Sequence, residues 1–332
     1  MRILLVSGIF AMSEGFRSEK LQETTETLLY DGLRQRGVDV EQRGHAYYDD
    51  WSGFDIVHIH HLANSCVRML APVHRPVVFS RHATKAVPLH HKIVLKHTYA
   101  KSERVVVSSA EEQRRLAGVV PPSKVSILYN GVRSDHFPPG ERSKPAPGQR
   151  WVMLYVGQLI ELKRVHQALE ELSRVVAQGW DAELRVVSQR ETLRSELEAA
   201  ADALGVSDRV HYLGPRGREA LGREMSEAHV LLLPSRTEAL STVVTESALA
   251  GLPVAAYDVG GMREQIPEAW PAPAPDDREG YSRLVTSILS DYPAAVQRWA
   301  AHVPEARRRF STEAMVDGHI ALYEDILAKR RR

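Results

Sequence analysis

The stretch "SRTEALSTVVTESALAGLPVAAYDVGG", residues 235–261, carries two glutamates, Glu238 and Glu246, around an apolar segment that stops at Gly251 and restarts after Pro253. It reads as a loop, a short buried helix and a buried strand in succession. The preceding "HVLLLPS" is a strand ending at Ser235, Ser241 stands where an N-cap belongs, and Gly251 followed by Pro253 is a helix stop. The loop "RTEAL" therefore lies at the carboxyl end of a strand and the positive end of a helix. Free backbone N–H groups there suit an anion such as a diphosphate. Glu246 lies about 7 Å further up the helix, at ~1.5 Å per residue. It is better placed to accept hydrogen bonds from paired hydroxyls, as a ribose offers, than to hold phosphate. Glu238 is placed for hydroxyls at the other end of such a diphosphate. An acid near a helix start is also favoured by the dipole alone, and spacing by itself leaves both readings open.

Outward from this stretch, short β-branched runs alternate with helical patterns. "RILLVS", "DIVHIH", "PVVFS", "RVVVSS" and "VSILYN" are near-continuous apolar runs, the pattern of strands buried on both faces of a parallel sheet. "SEKLQETTETLLYDGLRQRG", residues 18–37, reads as a helix closed by Arg36 and Gly37. "FPPGERSKPAPGQR", residues 137–150, is linker chemistry. Beyond it the pattern restarts with "WVMLYVG", "ELRVVS", "RVHYLG", "HVLLLPS" and "LPVAAYD". The fold class is thus α/β, two doubly wound Rossmann-like layers in tandem, whose ligands bind outside the carboxyl ends of the strands.

The 332 residues, 43% hydrophobic and 26% charged, have ordinary globular composition and a length suited to two domains. A net charge of +1 gives no global argument for nucleic acid. Residues 68–104 are locally basic, with Lys/Arg at 68, 75, 81, 85, 92, 96, 101 and 104, histidines at 74, 82, 90, 91 and 97, and Glu103 as the sole acid. This is a solvated face, or a surface that meets an anionic acceptor or anionic lipid headgroups. Cys66 is the only cysteine, which excludes an intramolecular disulfide and points to a reducing cytoplasm. "MRILLVSGIF" is too short in its apolar run for a signal peptide, and no stretch approaches the ~18 apolar residues of a membrane span. The expected location is cytoplasmic, with peripheral contact at the inner membrane surface left open. The basic tail Lys329–Arg332 reads as solubilising or as a polyanion contact.

"PSRTEALSTVVTESALAGLPVAAYDVGGMREQI" resembles the signature of the retaining family-4 glycosyltransferases, whose two Rossmann-like domains form the GT-B fold. The matching residues are Glu238, Glu246, Gly251, Pro253, Val254, Gly260 and Gly261. "YVGQLIELKR" resembles the family's Val-Gly-Arg-Leu…Lys loop, "ILYNGV" its Asn-Gly-Val, and the last helix its Phe-Ser…Tyr crossover. The resemblance implies an acceptor-binding domain over 1–140 joined by the returning helix 311–330, and a donor-binding domain over 148–310, with closure about the linker.

It also implies roles. Glu238 contacts the donor sugar, Glu246 the ribose, and Lys163 neutralises the diphosphate. Backbone amides of Ala239, Leu240 and Ser241, up to Thr242, hold the phosphates where the family has Gly-Phe-Gly. Gly157 and Gln158 begin the preceding loop; Gln158 replaces a family arginine, and Arg164 stands where the family usually has glycine. In the first domain Gly15, chosen over Gly8, approaches the donor, and His82 of "FSRHAT" lies near the reacting sugar. His58 and His60 share one strand face and read as packed or acceptor-facing. The expected donor is a UDP-sugar rather than a GDP-sugar, with glucose or N-acetylglucosamine as the sugar. The acceptor is a small molecule, glycan or lipid-linked hydroxyl, and the basic stretch 68–104 points to one that is anionic or sits at a membrane surface. No Asp-x-Asp is present, in keeping with metal-independent chemistry and no cofactor. Competing readings are an epimerase of the same fold and a non-catalytic nucleotide-sugar-binding protein. A nicotinamide enzyme is disfavoured, since no Gly-x-Gly-x-x-Gly follows the first strand.

Overall fold

The computed structural model describes residues 1–12, 23–44, 50–61, 64–81 and 89–331. The chain divides into two compact units, residues 1–131 with 309–332, and residues 132–308.

The first unit holds a six-stranded sheet of β1 (Arg2–Val6), β2 (Asp39–Arg43), β3 (Ile56–His60), β4 (Val77–Ser80), β5 (Arg104–Val107) and β6 (Val125–Ile127). The spatial order is β2-β1-β3-β4-β5-β6, with every pair parallel. Five of these are the runs read from the sequence; β2 is the sixth. Its sequence, Asp-Val-Glu-Gln-Arg, is polar because it is an edge strand with no fully buried residue, so it lacks the continuous apolar signature. The central strands bury both faces. Leu4, Val6, Val57, Ile59, Val77 and Phe79 pack on one side, and Ile3, Leu5, Ile56 and Val78 on the other.

The second face is covered by helix Thr25–Gln35 and the final helix, Thr312–Arg331, through Leu29, Leu33, Met315, Val316 and Tyr323. A Cβ at Gly32 would stand 2.3 Å from Val316 Cγ2, so the two helices cross where one has no side chain. The first of them starts at Thr24 with a reciprocal capping box to Thr27 and ends at Arg36 and left-handed Gly37. The part expected before residue 23 lies outside the described residues.

In the second unit, β7 (Trp151–Val156), β8 (Ala182–Val187), β9 (Val210–Gly214), β10 (Val230–Leu233) and β11 (Val254–Ala256) form a parallel sheet ordered β11-β10-β7-β8-β9. All five correspond to runs read from the sequence. The chain winds outward from β7 through β8 to β9, then returns to add β10 and β11 on the other side. The connections leaving β7 and β10 therefore diverge, which opens a crevice at their carboxyl ends.

The boundary between units falls earlier than the Pro/Gly-rich stretch. Residues 132–140, expected with the first domain, pack with the second. Phe137 is buried, and the His136 carbonyl lies where a Cβ on Gly222 would stand, 2.1 Å away. Within the linker, Arg142 donates to Met225 O (2.9 Å), Ala228 O (2.8 Å) and Ala250 O (3.0 Å). These carbonyls end helices Arg218–Glu227 and Thr242–Ala250, so one guanidinium caps two negative helix ends. The linker is pinned by that charge rather than left as a free spacer.

Candidate functional site

The crevice between β7 and β10 collects the residues singled out in the sequence. After β7 the chain runs through Gly157 and exposed Gln158 into a single turn, Glu161–Lys163. The buried Tyr155 hydroxyl donates to the Gln158 carbonyl at 3.0 Å, which fixes the loop from beneath. Burial, and then the neighbouring Glu238 charge, push that phenol's pKa well up, so it stays a neutral donor. After β10 the backbone N–H of Arg236 donates to Leu162 O at 2.9 Å, tying the two loops together. Lys163 Nζ then stands 2.6 Å from Glu238 Oε1, with the carboxylate nearly buried and the ammonium about a quarter exposed.

The glycine turn of the signature explains itself here. Gly260 has φ +58°, and a Cβ on it would meet the Glu238 carbonyl oxygen at 1.8 Å. Gly261 N–H donates to Ala239 O at 2.7 Å. Gly260 is therefore required twice, by a left-handed backbone and by the close approach of the Glu238 loop.

Helix Thr242–Ala250 begins after Ser241 and ends at left-handed Gly251, as its sequence indicates. Ser241 occupies the N-cap position, but its side chain makes no capping bond. Fully buried Gln265 takes over: its Oε1 accepts from Ser241 N–H (2.9 Å), and its Nε2 donates to Ser241 O (2.7 Å) and Thr245 Oγ1 (2.7 Å). The expected run of free amides is thus interrupted at Ser241. Among the described residues, the amides of half-buried Leu240 and of exposed Thr242 donate to no protein group. Gln265 carried no signal of its own in the sequence, although it closes the signature at "MREQI".

Two further charges are engaged in ways the sequence did not indicate. Buried Glu246 is ion-paired with Arg218, at the start of helix Arg218–Glu227. Arg164 is ion-paired with Asp276 and lies 5.7 Å from the Tyr257 ring centroid. Arg164 adopts φ +49° and Asp276 φ +67°. A left-handed backbone at 164 accounts for glycine being usual there in the resembled family. Hydrogen bonding to Arg164 holds the Asp276 carboxyl below its ordinary range.

In the first unit, His58 and His60 are fully buried. His58 bridges Tyr323 Oη (2.6 Å) and Ser80 Oγ (2.8 Å), and its ring lies 4.2 Å from that of His60. They pack between the sheet and the final helix. Sequence reasoning passed over Glu26 and His61, which meet at 2.6 Å at the carboxyl ends of β1 and β3. Gly15 and His82 lie outside the described residues. Among the described residues no group of three or more His, Cys, Asp or Glu is arranged to hold a metal ion, and no helix is long and apolar enough to cross a membrane.

Two parallel-sheet Rossmann-like units, the second bearing this loop pair at its switch point, define the GT-B architecture. The profile of the family described as Glycosyl transferases group 1 matches residues 140–311, just over half the chain, and that of Glycosyltransferase Family 4 matches residues 45–136. The chain belongs to the group 1 glycosyl transferase family. It is 28% identical over 274 residues to the D-inositol 3-phosphate glycosyltransferase of Mycobacterium sp. (strain KMS), covering 74% of this chain and 62% of that protein. It is 25% identical over 307 residues to the enzyme of that name from Mycolicibacterium smegmatis, covering 84% and 69%. The matched region thus spans 62% of the length of the first of these relatives. Among solved structures, sucrose-phosphate synthase from Thermosynechococcus elongatus superimposes with a TM-score of 0.80 at 17% identity, covering 99% of this chain and 100% of that one. Anabaena HepE in complex with UDP gives 0.75 at 15% identity, covering 98% and 100%. At these identities the likeness establishes the fold.

Proposed function

We propose that this chain transfers a sugar from a nucleoside diphosphate sugar, UDP favoured, to an acceptor hydroxyl with retention of anomeric configuration and without a metal. The observation that carries this reading is the Lys163–Glu238 pair, 2.6 Å apart at the switch point between β7 and β10. A donor entering the crevice exchanges that contact for two others. Lys163 turns to the diphosphate, and the Glu238 carboxylate accepts from sugar hydroxyls. Lys163 and the amides of Leu240 and Thr242 then face the charge that develops as the diphosphate departs, in place of a metal. Glu246 shares its carboxylate between Arg218 and the ribose. A donor phosphate oxygen takes the acceptor proton on the face the diphosphate leaves, which gives retention. His82 is assigned to the sugar on resemblance alone.

UDP is favoured because HepE, of the same architecture, is solved with UDP bound. The relatives' name, D-inositol 3-phosphate glycosyltransferase, suggests a phosphorylated cyclitol as acceptor class. The helix Leu89–Lys101 exposes Lys92, Ile93 and Lys96, and the neighbouring turn exposes Val67 and Leu70. That basic and apolar surface suits an anionic acceptor or the headgroups of a membrane touched from one side.

The test is calorimetric titration of UDP, GDP and ADP, in EDTA, into the chain and into Glu246→Ala. UDP is expected to bind best, and the variant to lose about tenfold in affinity, as for one charge-assisted hydrogen bond to the ribose. Failure of all three nucleotides to bind would overturn the reading.

A further inference from the structure

A cavity of about 380 Å³ opens beside the switch point, bordered by Arg164, His166, Arg236 and Arg278 and by the acids Glu161 and Asp276. Its charges are unequal in what they already hold. Arg164 is paired with Asp276, and Arg278 with Glu170 at 3.0 Å. Arg236 forms no side-chain hydrogen bond or ion pair among the described residues, yet its backbone is fixed by the 2.9 Å bond to Leu162 O. Its guanidinium is thus exposed and bonded directly to no carboxylate, anchored at its root two residues before Glu238, and it shares the field of the Asp276 carboxylate with Arg164 and Arg278. His166 adds a second donor from the start of helix Val165–Ala177.

The cavity wall is also strained. Of the three described non-glycine residues with positive φ, two, Arg164 and Asp276, are the pair that borders it. Such residues cluster at ligand clamps. Their ion pair ties the turn after β7 to the chain before helix Arg278–Ser290 along the cavity wall.

We propose that this cavity is a subsite for a second anionic group, distinct from the diphosphate, carried by one of the two substrates and bound by Arg236 with His166 and Arg278. A planar guanidinium with no partner matches a carboxylate or phosphate in bidentate fashion. Two sources bring that chemistry to this place: a carboxylate on the donor sugar, next to Glu238, or a phosphate on the acceptor. The identity of the carrier rests on the function proposed above; the unpaired cation does not.

The experiment compares charged and uncharged partners at low salt, with the full chain and with Arg236→Ala. UDP-glucuronate is titrated against UDP-glucose, and inositol 3-phosphate against inositol, the latter pair both with and without UDP. The expected result is a preference of about tenfold or more for one charged partner, which Arg236→Ala reduces to less than about twofold. A preference for the glucuronate places the anion on the donor, and one for the inositol phosphate places it on the acceptor. Arg236→Lys is expected to restore part of the preference, since it keeps the charge and loses the fork. Ratios near one in the unaltered chain, or a preference that survives Arg236→Ala, overturn the subsite. UDP alone reads the nucleotide reading separately: a chain that ignores UDP refutes that reading, while the inositol pair without UDP still decides the subsite.

Discussion

The two sheets each have a switch point, and the two are furnished differently. In the second unit the crevice between β7 and β10 holds a lysine and a glutamate 2.6 Å apart. In the first, the carboxyl ends of β1 and β3 hold His61 and Glu26 at the same 2.6 Å. The acid is nearly buried in both, and the basic partner is the more exposed. The chemistry separates them. A lysine ammonium is a permanent point charge with three donors, suited to neutralising phosphate. An imidazole offers one donor and one acceptor when neutral, which suits exchange of hydrogen bonds with hydroxyls. The backbones differ too: His61 has φ +62°, whereas the Lys163 loop places its strain one residue later, at Arg164. On the proposed reading, one fold element repeated twice has been fitted once for a leaving diphosphate and once for an incoming hydroxyl.

Truncating each basic residue breaks this comparison most sharply. Lys163→Ala is expected to lower kcat by about 10²–10³-fold, the usual loss for one electrostatic contact to a developing charge. His61→Ala should act on the acceptor KM, by about tenfold, with UDP affinity unchanged. Steady-state kinetics with both substrates varied reads the two effects apart. A kcat for Lys163→Ala within tenfold of the unaltered chain would remove the lysine from the chemistry. An effect of His61→Ala on UDP binding would erase the division between the two sites.

The units also differ in how acid destabilises them. Each holds a histidine neutral, with its pKa lowered to about 4: buried His319 by desolvation in the first unit, and half-buried His229 by desolvation and then the Arg142 charge in the second. Between about 4 and the ordinary value near 6.5, the unfolded chain takes up protons that the folded chain refuses. Stability is therefore complete above about pH 6.5 and falls as pH drops toward 4. By linkage, His319 alone accounts for about 2 kcal/mol at pH 5. His229 accounts for less, because it is partly open to solvent. Urea unfolding at pH 7 and pH 5 tests this. His319→Gln should keep the second unit's acid sensitivity and lose most of the first's; an unchanged drop would show that other groups govern acid unfolding.

What was legible in the sequence follows the range of the interactions. The loop, helix, glycine stop and strand at 235–261 are set by residues within a few positions of one another, and they stand as read. Each central strand is its own apolar run. The edge strand β2 escaped because an edge needs no apolar run. The ion partners escaped for a different reason: Arg218 precedes Glu246 by 28 residues, and Asp276 follows Arg164 by 112. Nothing local marks such a pair, since a surface Arg and a surface Asp look alike whether or not the fold brings them together. Gln265 lies 24 residues beyond Ser241, inside the signature, but a glutamine's role depends on which backbone groups it meets. The units divide at residues 131/132, ahead of the proline- and glycine-rich stretch, because proline and glycine content marks chain stiffness, whereas the division follows what Phe137 and Arg142 pack against.

The smallest expected effect tests the strained arginine. Arg164→Gly removes a left-handed non-glycine residue, worth about 1–2 kcal/mol. It also adds about 0.5–1 kcal/mol of unfolded-chain entropy and removes an ion pair whose acid is largely exposed and screened by solvent. These terms nearly cancel, so thermal stability should move by less than about 1 kcal/mol. Affinity for an anionic ligand should fall a few-fold, because Asp276 no longer holds the cavity wall. A Tm unchanged beside a weakened ligand would show that the strain is kept for the site. A loss above about 2 kcal/mol would instead make the Arg164–Asp276 pair structural, and would separate the second unit's switch point from the first in the opposite sense: strain there would serve the fold, while His61 would remain the one described left-handed residue other than glycine attached to a site.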